Sequence, residues 1–96
     1  MKMYVIRRPS GWRTLEQLQA AAARSKRVGD EEMSADIRWI RSYVVQEESG
    51  KLGTVCLYEG TSAAKVREQA ERTGMPADEV VLVADTVIVR PDPVAA

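Results

Sequence analysis

The chain has no histidine at all, and this absence removes more chemistry than any other feature of its composition. Without an imidazole there is no Cys-His or Ser-His-Asp arrangement, which excludes hydrolysis by a histidine-based triad. An axial histidine for haem is missing too. Cysteine is nearly absent as well: Cys56 stands alone, so no intramolecular disulfide or multi-cysteine metal site can form. Charge of one sign is not in excess, with 14 basic residues against 14 acidic ones, and no global field favours nucleic acid or an anionic membrane. No apolar run reaches the ~20 residues of a membrane span, and "MKMYVIRRPSGW" is too soon charged for a secretory signal. A cytoplasmic location with no membrane partner is the expectation. The 96 residues make one domain, able to bury roughly two-thirds of the unfolded chain's surface.

What is present is a pattern of alternating strands and capped helices. "MKMYVIRR" sets β-formers before Pro9-Ser10-Gly11, a turn cluster expected to end the first strand. Thr14 then opens a helix with capping-box spacing to Gln17, carried by Leu15, Leu18, Ala22 and Val28. Gly29 is its natural stop, although the acidic "DEEM" could carry another turn. From Ile37 to Gln46 the chain alternates strictly, and after "EESGK", a hairpin turn with Gly50, Leu52 to Glu59 returns. Ser62 caps a second helix, Gly74 suits its left-handed end, and Val80 to Arg90 reads as the last strand.

The order is βαββαβ. Two right-handed crossovers around a hairpin give an α+β, ferredoxin-like fold: a four-stranded antiparallel sheet with both helices on one face. Residues 1–90 form the domain, and 91–96 a flexible tail. By strand parity, Trp39, Arg41, Tyr43, Thr54, Cys56 and Tyr58 share the open face, with Val44, Val55 and Leu57 towards the helices. So apolar a face on so small a protein predicts a homodimer, sheet against sheet in the manner of a dimeric α+β barrel, with a cavity between or beside the sheets.

Several residues in this pattern could carry function. Trp39, Arg41, Tyr43, Cys56 and Tyr58 are the candidate ligand-binding residues. The aromatics offer apolar bodies with hydrogen-bonding tips, and Arg41 could grip a carboxylate or phosphate bidentately, with Asp85 as its partner when no ligand is bound. Cys56 is a buried small hydrophobe, or else a thiol beside Arg41 with a lowered pKa. The run Asp30-Glu31-Glu32 with Asp36 is a solvated helix end rather than a hard-cation site. Arg7, Arg8 and Arg13 form a solvated basic edge near the first helix.

"IRWIRSYVV" and "CLYEGTSAAKVREQAERTGMPADEV" together resemble a family of small bacterial proteins, ferredoxin-like and dimeric, known as nickel-binding or nickel-responsive. The most specific stretch runs from Tyr58 to Val80, with "YE", the Ser62 cap, "VRE" and G-x-P-x-D at Gly74, Pro76 and Asp78. The resemblance implies the fold, the dimer and a nickel cofactor. It also implies histidines for the metal, one of them just after "RE", where this chain has Gln69. Others fall on the first helix, where this chain has Ser25, Lys26 and Arg27. Amide and guanidinium groups do not replace imidazole as nickel ligands, so no metal-ligating residue and no cofactor is assigned. The reading is a non-catalytic protein that binds a small ligand or metal. The alternative, by analogy of fold, is a cofactor-independent oxygenase, isomerase or cyclase acting on an aromatic or polyketide-like substrate. The RNA-recognition motif shares the strand order but wants basic and aromatic residues on a third strand that here reads "KLGTVCLY"; no nucleic-acid partner is expected.

Overall fold

A computed structural model describes residues 1–77 and 79–94. The elements are β1 (Lys2–Trp12), α1 (Leu15–Arg27) continuing into a π-helical turn (Val28–Glu32), β2 (Ile37–Gln46), β3 (Leu52–Gly60), α2 (Ala63–Thr73) and β4 (Glu79–Leu82). The sheet is four-stranded, in the order β2-β3-β1-β4, with antiparallel pairing throughout. This is the ferredoxin-like α+β arrangement. Among the described residues, no helix is long and apolar enough to cross a membrane.

Local chemistry sets the helix ends. Thr14 Oγ1 accepts from the Gln17 amide at 3.2 Å, while Gln17 Oε1 reaches back to the Arg13 amide at 3.1 Å, one residue earlier than the usual box. Ser62 Oγ accepts from the Lys65 amide at 3.2 Å. At the far end of α2, Gly74 adopts φ +69° and lets the Met75 amide return to the Ala70 carbonyl at 3.0 Å. The acidic run after Gly29 does carry another turn, the π-helical one.

Two strands depart from expectation. β1 does not end at Pro9-Ser10-Gly11; an irregularity there, with Ser10 at φ +53°, lets the strand resume and pair Trp12 with Leu52. β4 stops at Leu82, not Arg90. The Val83 amide still donates to the Met3 carbonyl at 2.9 Å. Beyond it, Val83 to Asp92 lies over the open sheet face beside Met3, Val5, Arg41, Tyr43 and Leu57.

The largest correction concerns which way the side chains face. Trp39 pairs with Tyr58, but Arg41 pairs with Leu57, so β2 spends two residues where β3 spends one. Ile40 is the extra residue of a β-bulge, and such a bulge reverses the parity of the strand beyond it. Ile37 and Trp39 therefore face the helices with Tyr4, Ile6, Cys56 and Tyr58, the heart of the core. Arg41 and Tyr43 face the open side with Val55 and Leu57. Strict alternation through Ile40 was the wrong assumption.

Gly60 marks the closest approach of the sheet to α2. A Cβ added there would lie 2.9 Å from Val66 Cγ2 and 3.4 Å from Ile37 Cδ1. Gly60→Ala should destabilise the fold by about 1–3 kcal/mol through overpacking. An unchanged denaturation midpoint would contradict the packing described.

Candidate functional site

The even-numbered residues of β3 and the bulged β2 form the floor of a cavity roofed by α1. Its volume is about 450 Å³, and its apolar walls include Trp12, Leu18, Ala22, Trp39, Val44 and Met75. Ser25, Ser42, Thr54, Cys56 and Tyr58 supply polar atoms, while Lys26 and Arg41 complete the lining. That size and mixture suit a small organic molecule.

Of the proposed ligand-binding residues, Trp39, Arg41, Cys56 and Tyr58 line this cavity. Tyr43 does not: it lies on the opposite face of the sheet, where its hydroxyl donates to Asp92 at 2.8 Å. Arg41 spans the two sides. Its backbone belongs to the bulged strand, and its Nη1 donates to Asp92 at 2.9 Å. The hydrogen bonds from Tyr43 and Arg41 hold the Asp92 carboxyl below its ordinary range. Asp85 is not the partner of Arg41; its carboxylate accepts from the Thr86 amide at 2.8 Å.

Trp39 and Tyr58 stack with centroids 6.0 Å apart and planes 6° from parallel. The Tyr58 hydroxyl and Ser25 Oγ share a hydrogen bond of 2.8 Å. Gln69 Nε2 donates to Ser25 Oγ at 2.7 Å and to the Ser25 carbonyl at 3.0 Å. Burial raises the Tyr58 pKa above its usual 10.0, while the Ser25 hydrogen bond pulls the other way.

Four polar residues of this region were not singled out as ligand contacts: Arg8, Ser25, Thr54 and Gln69. Arg8 is the most consequential. It was read as a solvated edge charge, yet its exposure is 0%. Nε donates to the Pro76 carbonyl at 2.6 Å and Nη1 to Cys56 Sγ at 3.3 Å. Arg8 therefore takes the place beside the thiol expected for Arg41. The alternation Tyr4, Ile6, Arg8 was the available signal, but Met3, Val5, Arg7 reads the same way on the other face.

These features define a ferredoxin-like α+β protein with a cavity between helix and sheet. The family model described as "Nickel responsive protein SCO4226-like" matches residues 4–83, and the chain belongs to that family. Its structure is similar to the crystal structure of SCO4226 from Streptomyces coelicolor A3(2), with a TM-score of 0.71 and 27% identity. The match covers 88% of this chain and 99% of that one. No curated protein matches.

The residues present do not fit the nickel that the family description suggests. Gln69 and Ser25, at positions where the resemblance implies histidine, are closed on each other by hydrogen bonds. The thiol of Cys56 faces a guanidinium, which repels a divalent cation. Among the described residues, no group of three or more His, Cys, Asp or Glu side chains is placed to hold a metal ion.

The raised Tyr58 pKa has a consequence for stability. The neutral phenol is favoured in the folded state, so its contribution is complete below the unfolded value near 10. It is lost as pH rises through the folded value, because the unfolded chain ionises first. Denaturation midpoints from pH 8 to about 12 should fall for the natural chain and fall less steeply for Tyr58→Phe. Equal slopes would contradict burial of this phenol.

Proposed function

We propose that this chain is a non-catalytic binding protein that holds a small organic molecule between α1 and the sheet, as a homodimer and without nickel. The observation that carries the reading is the cavity itself: apolar walls bearing both tryptophans of the chain, over a polar floor. A pre-formed concave site of this kind is the usual setting for ligand binding. Catalysis is disfavoured by the same chemistry, because among the described residues the cavity brings no imidazole and no carboxylate to its hydrogen-bonded hydroxyls to act as a general base.

The dimer is supported by the opposite face. Met3, Val5 and Leu57 are apolar, and the segment lying over them carries Val87, Ile88 and Val89 at 87%, 79% and 80% exposure. Consecutive β-branched residues so exposed favour cover by another copy of the chain.

Native mass spectrometry of untagged protein, incubated with excess nickel and then desalted, tests both halves. The expected species is a dimer free of nickel, carrying an organic mass when the protein is purified gently from its source. Stoichiometric retained nickel, or a monomer at micromolar concentration, would overturn the corresponding half.

A further inference from the structure

Arg8 is a full positive charge inside the core, and no acidic side chain of the described residues forms a salt bridge with it. Its Nη2 is buried without a hydrogen-bond partner among the described residues. Burying an uncompensated guanidinium is costly, and a fold tolerates it most readily where an anion completes the site. Arg8 is not itself a lining residue of the cavity but lies behind residues that are. Arg8 pairs across the ladder with Thr54, bonds Cys56, and is tied to Pro76, the residue after Met75. Thr54, Cys56 and Met75 all line the cavity.

The rest of the floor is rich in donors. Thr54 Oγ1 is also buried without a partner. In the Tyr58–Ser25–Gln69 group, both amide protons of Gln69 go to Ser25, and the Tyr58 and Ser25 hydroxyls share a single bond. Of the two hydroxyl protons one satisfies that bond, and the acceptor left open within the group among the described residues is Gln69 Oε1. Among the described residues no aspartate or glutamate lines the cavity, whereas Lys26 does; Arg41 also borders it, but its guanidinium is engaged with Asp92.

We infer that the cavity is selective for small carboxylic acids with an aromatic or short aliphatic body. The carboxylate accepts from Arg8 Nη2 and Thr54 Oγ1, and the body lies against Trp12, Trp39 and Leu18. This rests on the reading of the cavity as a ligand site and adds the charge of the ligand.

The test uses a panel of benzoate, 1-naphthoate and decanoate beside the matching neutral alcohols, titrated into the full chain at pH 7. Tryptophan emission reports binding, since both tryptophans line the cavity. At least one acid should bind roughly tenfold or more tightly than its alcohol, the scale of a charge-assisted hydrogen bond. Acids and alcohols binding equally would overturn the inference while leaving the cavity a ligand site. No binding by any probe would overturn both. Arg8→Met should erase the preference for acid while alcohol binding persists; a preference that survives would remove Arg8 from the site. Should that variant fail to fold, Thr54→Val serves in its place. It should weaken acid binding more than alcohol binding, and equal weakening would contradict the assignment.

Discussion

The extra residue at Ile40 is the constraint on which the rest of the structure depends. β3 is held between β1 and β2, with Thr54, Cys56 and Tyr58 turned to the helices. Trp39 must share that side to stack on Tyr58. Continued alternation would then send Arg41 inward, adding a second cation to a core that already holds Arg8. The bulge turns Arg41 outward to Asp92 instead and brings Ser42 and Val44 to the cavity. A single inserted residue thus separates a charged, exposed face from the face that lines the cavity.

The cavity exists because the core opposite α1 is built from polar side chains as well as apolar ones. Tyr58, Ser25 and Gln69 join β3, α1 and α2 through bonds of 2.7–3.0 Å. Such a network fixes the helices over the sheet only if its members are satisfied. Among the described residues, Gln69 Oε1 is its one open acceptor, while Arg8 Nη2 and Thr54 Oγ1, on paired positions of β1 and β3, are also without partners. At the positions where the family resemblance implies imidazole, this chain has an amide and a hydroxyl engaged with each other.

The fold was legible because each element carries its own marker. Thr14 and Ser62 open the helices with hydroxyl caps, Gly74 closes the second, and the β2–β3 hairpin alternates on both sides of its turn. The site was only partly legible. Trp39, Cys56 and Tyr58 were identified, but on the wrong side of the sheet, because nothing in "IRWIRSYVV" marks Ile40 as unpaired. The burial of Arg8 was hidden for a related reason: Arg7 and Arg8 end two equally apolar faces of β1, and only the packing of α1 and the Pro76 segment distinguishes them. The early end of β4 could not be read from "VVLVADTVIV" either, since strand propensity continues past Leu82 while its partner β1 has no further residues to pair beyond Lys2.

The side of the sheet occupied by Tyr58 decides whether this account stands. Nuclear Overhauser spectra of the labelled protein measure it directly, whether or not the protein dimerises. The Tyr58 ring protons should show contacts to the Ser25 side chain and the Gln69 side-chain amide. Contacts from the Tyr58 ring to Tyr43 instead, with none to Ser25 or Gln69, would place β3 in the opposite orientation and contradict the bulge, the cavity and the site built on them.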